Sequence, residues 1–192
     1  MTGPACPATW RDLPVTLCHD WLVGMRGGER VIELLAAGFP RAEIATLIYR
    51  GAALSPALRH PPVHTSILNR LPGVTRYYRN LLPLFPLAAR TIRMPRTAEL
   101  AISTNHCVAK AFPRDPRIPH LCYCFTPMRY AWIFHDEYFG RGPGRLLLKP
   151  ILATLRAWDR RTAQRITHIT AISRHVQARI RATWGRASDV VY

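Results

Sequence analysis

Residues 14–35 read PVTLCHDWLVGMRGGERVIELL, and this stretch decides the fold class. Residues 14–18 are a short apolar, partly β-branched run ending in His19 and Asp20, the pattern of a buried strand that delivers polar side chains at its C-terminal end. A turn follows at residues 24–28 (GMRGG), then a helix on which Val31, Leu34 and Leu35 share one face before Gly38 and Pro40 stop it. Strand, glycine turn and helix make one unit of an alternating α/β chain.

Downstream the alternation repeats. Residues 45–49 (ATLIY) read as a second strand and 64–68 (HTSIL) as a weaker third, with a proline-rich connection between them. A helical pattern over 76–89 is interrupted by Pro83 and Pro86, which predicts a helix that breaks or bends there. Residues 100–104 (LAIST) are a fourth strand, followed by Asn105, His106 and a short helix or loop around Val108 and Lys110. Residues 120–125 (HLCYCF) are a fifth, running into Thr126 and Pro127 at a first helical turn. The run GRGPGR at 140–145 follows no strand and reads as a mobile loop. A long helix then aligns Ile151, Leu155, Trp158 and Thr162, and residues 166–172 form a sixth strand. Ser173 caps a helix carrying Val176, Ile180 and Trp184 on one stripe, Gly185 ends it, and residues 188–192 look like the start of another strand.

The expected class is α/β: a Rossmann-like parallel sheet with helices on both faces, joined by right-handed crossovers. Residues 1–13 read as a loose N-terminal tail and 14–192 as one domain. Ligands in such folds sit beyond the C-terminal strand ends, so His19, Asp20, Asn105, His106, Phe125 and Thr126 should share one rim.

Composition narrows the function classes. The chain has 192 residues, 48% of them hydrophobic and 20% charged, which is enough to bury a core and unlike a disordered chain. It carries 27 Lys and Arg against 11 Asp and Glu, a net charge of +16, which favours an anionic partner: nucleic acid, an acidic membrane leaflet or phosphate on a ligand. Only Lys110 and Lys149 are lysines, so the arginine skew is equally well explained by coding bias. From 145 to 186 the chain has nine arginines and Lys149 against Asp159 alone, a basic face that could hold the protein against an anionic leaflet. No apolar run reaches the roughly 18 residues of a membrane-spanning helix, and the first residues have neither basic head nor apolar centre, so a cytoplasmic location is expected. The five cysteines lack paired CxxC spacing and are expected to be reduced and buried. No helix-turn-helix, zinc finger or RNP-type strand is present, so no specific nucleic-acid partner is expected.

Several residues are candidates for chemistry. Gly27 and Gly28 precede a helix, where free N–H groups favour phosphate, although glycines in a turn serve structure alone just as readily and neither GxGxxG nor GKS is present. With no DxD pair, metal-independent chemistry is expected, with no metal and no cofactor. His19, His106 and Lys110 are suited to contact hydroxyls or phosphate, or to serve as structural hydrogen-bonding groups. Asp136 and Glu137 either bind substrate hydroxyls or cap a helix.

The order of the motifs says more than any one of them. HDWLVGMRGGERVIELL, HTSILNRLPGV with YYRNLLPLFPLA, ISTNHCVAKA, CYCFTPMRYAW with HDEYFGR, and ITAISRHVQARI together resemble the N-terminal half of family 4 glycosyltransferases, in particular bacterial mannosyltransferase-like enzymes of surface polysaccharide assembly. The resemblance runs from about Val15 to Tyr192. It implies one half of a GT-B fold, the acceptor-side domain of an enzyme that moves a sugar, mannose by this likeness, from a GDP- or UDP-linked donor to a glycan or lipid-linked acceptor. Transfer would be metal-independent and retain anomeric configuration. Gly27 and Gly28 would approach the donor phosphates, with His19, Asp20, His106, Lys110, Arg129 and Tyr130 lining the cleft.

Two departures follow from the resemblance. The resemblance implies a C-terminal nucleotide-sugar domain in addition to the half it covers, expected to be absent here, so the chain is expected to be a truncated or partial enzyme, nearly inactive alone. Phe125 stands where relatives read CHTP, with a histidine at the transferred sugar; His106 then takes the catalytic place, or the copy has decayed, or Phe125 simply fills the sheet edge. The competing class is a non-catalytic basic module that binds anionic membrane or polysaccharide precursors.

Overall fold

The computed structural model describes residues 10–132 and 145–192. Cys6, Asp136, Glu137 and most of the GRGPGR run lie outside them. Strands β1 (Val15–His19), β2 (Glu43–Thr46), β3 (Val63–Thr65), β4 (Leu100–Asn105), β5 (His120–Cys124), β6 (His168–Ala171) and β7 (Asp189–Val190) form one sheet in the order β3-β2-β1-β4-β5-β6-β7. Every pairing is parallel. This is the doubly wound, Rossmann-like α/β arrangement, and its strand order reverses between β1 and β4.

Burial on both faces explains the strand sequences. All five residues of β1 are buried, with Val15 and Leu17 in one apolar cluster and Cys18 in the cluster on the opposite face. On the first face α1 (Gly27–Gly38) packs Ile32 and Ala36 against Leu17, Ile44 and Ile102. On the other, Val74, Tyr78, Leu82 and Phe85 come from the proline-interrupted segment, which is α2 (Val74–Tyr77), a 3-10 stretch (Tyr78–Leu84) containing Pro83, and α3 (Phe85–Thr91). Pro83 falls in the 3-10 stretch that interrupts the helix, and Pro86 sits in the first turn of α3, where a missing donor is tolerated. Beyond α4 (Arg129–Trp132), the long α5 (Arg145–Ala163) and α6 (Arg174–Trp184) complete the covering.

Three details of phase and boundary differ from the sequence reading. The buried stripe of α1 runs through Glu29, Ile32 and Ala36, and Leu34 is 73% exposed. In α5 the stripe is Leu152, Leu155, Asp159 and Thr162, with Ile151 largely outside it. β2 ends at Thr46, and Leu47 and Ile48 are buried beyond the ladder, although Tyr49 still bridges Leu22. Cys18, Cys107, Cys122 and Cys124 are free and buried.

The helix signals at α6 are satisfied in detail. Ser173 Oγ accepts from Val176 N at 3.2 Å, and Gly185 takes φ +67°, a left-handed conformation that L side chains resist. Gly185→Ala and Ser173→Ala are each expected to lower the unfolding free energy by about 1 kcal/mol, as read from urea titrations.

Candidate active site at the strand-order switch

At the C-terminal rim of the sheet, where β1 and β4 part company, a pocket of about 300 Å3 opens between the β1 and β5 ends and the start of α1. His19 forms its floor. The ring is fully buried because β1 is a central strand, and its register sets it beside Thr104, whose Oγ1 lies 2.6 Å from His19 Nδ1. His19 Nε2 has no partner, and neither does Thr126 Oγ1, which also borders the pocket. Buried polar atoms without partners carry a desolvation cost that a bound hydroxyl or phosphate oxygen would relieve. Burial, and then the neighbouring His106, push the His19 pKa down to about 4, so its imidazole is neutral at pH 7.

Asp20 lies one residue on and faces away from the pocket, into the start of the loop after β4. Its Oδ2 accepts from the backbone N–H groups of His106 at 2.7 Å and Cys107 at 3.0 Å, and its Oδ1 from Val108 and from Ala109 at 2.7 Å. His106 Nδ1 lies 2.9 Å from Asp20 Oδ2. A carboxylate only accepts, so Nδ1 carries the proton and His106 presents Nε2 to the pocket. Burial alone would raise the Asp20 pKa; the hydrogen bonds and the charge of His106 outweigh it and hold the carboxyl well below the usual range. Asp20 thus builds the site without lining it. Trp21 packs edge-on against His106, with ring centroids 4.5 Å apart, and fixes the imidazole plane.

Gly28 closes the pocket on the α1 side. A Cβ there would come within 3.2 Å of His19 Cε1 and 3.3 Å of Phe125 Cε2, so a side chain would crowd the floor. Phe125 meets Tyr123 edge-on at 5.6 Å and forms a wall of the pocket. The buried Glu29 accepts from Arg26 N at 3.2 Å and satisfies one end group of α1. The guanidiniums of Arg26, Arg79 and Arg129 stand exposed around the mouth, with Tyr130 largely buried beside them. The neutral imidazole of His19 below and three cations above suit a ligand that presents both hydroxyls and anionic oxygens.

Lys110 is not at the cleft. The residue is fully buried, and Nζ donates to Asp159 Oδ1 on α5 and to Cys107 O at 3.3 Å. Asp159 Oδ2 also accepts from Trp132 Nε1 at 2.8 Å and Trp184 Nε1 at 2.7 Å. Burial works against the ammonium, but the attraction and hydrogen bond of Asp159 prevail and raise the Lys110 pKa. Among the sequence candidates, the structure brings His19, Gly28, His106, Arg129 and Tyr130 together around the pocket, while Gly27 sits at the start of α1 beside it. Arg26, Arg79 and Trp21 complete it without any local sequence signal; Arg79 arrives only through packing of the proline-broken segment. The basic run at 145–186 is partly spent inside the fold, since Arg156, Arg160 and Arg186 cap the carbonyls of Ala131, Thr183, Ala163 and Ile166. Among the described residues, no group of three His, Cys, Asp or Glu is placed to hold a metal ion, and no helix is long and apolar enough to cross a membrane.

No known protein family matches the chain, and no curated protein is similar to it. Among solved structures, the apo form of the lipopolysaccharide outer core galactosyltransferase WaaB is similar, at 13% identity and a TM-score of 0.49, over 94% of this chain and 45% of that one. The chain therefore spans less than half the length of that structure. Its own strand order and pairing establish the fold.

The buried ionisable groups make stability depend on pH. His19 and His120, the latter buried against Ser103, both have pKa values lowered to about 4 from an ordinary value near 6.5. Between those values the unfolded chain binds protons that the folded chain refuses, so stability rises with pH through this window. Asp20, ionised in the fold where the unfolded carboxyl would protonate, extends the loss to lower pH. Unfolding free energy from urea titrations is expected to fall by several kcal/mol, to order of magnitude, between pH 7 and pH 4, with a shallower slope in His120→Gln.

Proposed function

We propose that this chain is the acceptor-side half of a GT-B glycosyltransferase, which transfers a sugar from a GDP- or UDP-linked donor to a glycan or lipid-linked acceptor. The observation that carries the reading is the pair of partnerless buried polar atoms, His19 Nε2 and Thr126 Oγ1, turned into a pocket at the strand-order switch. Such atoms suit the hydroxyls of a sugar, and the arginines at the mouth suit a diphosphate. The motif order along the chain points the same way.

In this reading the bond between the anomeric carbon and the phosphate oxygen breaks, the acceptor oxygen bonds to that carbon, and the acceptor's hydroxyl proton passes to the departing diphosphate. The electron pair leaves with the diphosphate, whose growing charge Arg26, Arg79 and Arg129 stabilise from this side. His106 is the catalytic candidate: with Nδ1–H committed to Asp20, its Nε2 accepts a hydrogen bond from a sugar hydroxyl. Gly27 and Gly28 let the donor phosphates approach the first turn of α1. Transfer is metal-independent and retaining, with mannose the sugar favoured by the sequence resemblance. A second, nucleotide-binding domain supplies the remaining leaving-group contacts and excludes water, so the chain alone turns over negligibly.

The test joins the chain to a nucleotide-sugar-binding domain of a related transferase and measures both nucleoside diphosphate release and glycosylated product. Transfer is expected, falling roughly 10²-fold in His106→Ala and in the double variant Arg26→Gln/Arg79→Gln. A joined protein that stays silent, with Phe125→His as well, would overturn the assignment.

A further inference from the structure

Residues 67–91 form a layer of short helical segments, and its two sides differ in chemistry. Leu68, Val74, Tyr78, Leu82, Phe85 and Ala88 are buried in the core beneath. On the outer side Ile67, Leu71, Tyr77, Leu84 and Leu87 are between 37% and 63% exposed, half of all the large apolar side chains that stand in water among the described residues. The segments pack on one another, and Ile67 N donates to Thr91 Oγ1 at 2.9 Å, which ties the first to the end of α3. Arg70, Arg76, Arg79, Arg90 and Arg93 are exposed on or beside the same layer. No Asp or Glu occurs between Glu43 and Glu99. Ile67, Arg70 and Arg93 share a groove of about 460 Å3 at the C-terminal end of β3.

Bulky aliphatic groups interleaved with arginine and free of acid restrict what can cover this surface. A second copy would bring arginine against arginine. A nucleic acid would satisfy the cations and leave leucine and isoleucine against phosphate and water. An anionic bilayer offers both environments within a few ångströms: phosphate at headgroup depth and hydrocarbon below it.

We propose that the outer surface of residues 67–93 seats on an anionic phospholipid bilayer, with Leu84 and Leu87 entering the acyl boundary and Arg90 and Arg93 meeting headgroup phosphates. Arg79 belongs both to this layer and to the pocket mouth, so docking places the pocket beside the lipid surface. The proposal rests on this surface alone, and vesicle binding can hold where sugar transfer fails.

The experiment is sedimentation of the full chain with phosphatidylglycerol-containing vesicles and with pure phosphatidylcholine vesicles. Binding is expected to the anionic vesicles only. Leu84→Ser/Leu87→Ser should weaken it about tenfold. Arg90→Gln/Arg93→Gln should weaken it at least as much, at roughly fivefold per arginine. Arg174→Gln/Arg181→Gln, with the same change in charge on α6, should keep it. Circular dichroism and thermal melts check that the exposed substitutions leave the fold intact. Equal recovery with both vesicle types, undiminished binding by the leucine pair, or an equal loss in the α6 control would each overturn the proposal. So would duplex DNA displacing the vesicles while the leucine pair binds like the parent.

Discussion

One carboxylate organises the rim of this molecule. Asp20 leaves the end of β1 and gathers four consecutive backbone N–H groups from the loop that follows β4, across the place where the sheet reverses its order. Donors at the turn after a strand would otherwise face an apolar interior unpaired, at a cost of about 1–3 kcal/mol each. Satisfying them with an ion fixes the loop, and the loop fixes His106, whose ring Asp20 also holds from below. The pocket exists because this loop cannot sag into it.

Charge in this domain is sorted by depth. The buried charges are paired inside the fold: Asp20 with N–H groups and His106, and Lys110 with Asp159 under the indoles of Trp132 and Trp184. The second arrangement clips α5 and α6 to the same loop that Asp20 holds, so both ends of the segment from Asn105 to Lys110 are anchored by ions. Several arginines, by contrast, stand exposed at the mouth and over the outer helical layer, while Arg114, Arg156 and Arg186 are drawn in to backbone carbonyls. Burying a cation demands a fixed partner, whereas an exposed guanidinium keeps its hydration and its freedom to meet a mobile anion.

The sheet was readable because central parallel strands are buried on both faces and therefore appear as short apolar runs; β1, β4 and β5 fall within a residue or so of the expected limits. Helix phase was harder. In α1 the expected inner face carries Val31, Leu34 and Leu35, whereas packing against Leu17 and Ile44 buries Ile32 and leaves Leu34 exposed. Lys110 reads either as a cleft cation or as a structural hydrogen-bonding group, and nothing local decides between them because its partner Asp159 lies 49 residues away on another helix. Rim residues adjacent to strand ends, such as His19, His106 and Thr126, were legible from topology alone. Arg79 was not, because its place depends on how a proline-broken segment folds back over the sheet.

The buried cysteines carry a practical consequence. Cys18 and Cys107 border the switch between β1 and β4, and Cys122 and Cys124 lie in β5, all shut away from solvent. Burial pushes the pKa of Cys18, Cys107 and Cys124 up, so little thiolate forms in the closed molecule. Alkylating reagents can then mark the sheet centre only when strands part. The molecule thereby contains its own clock for local opening, and the order in which these sulfurs become modified would tell which seam of the sheet yields first.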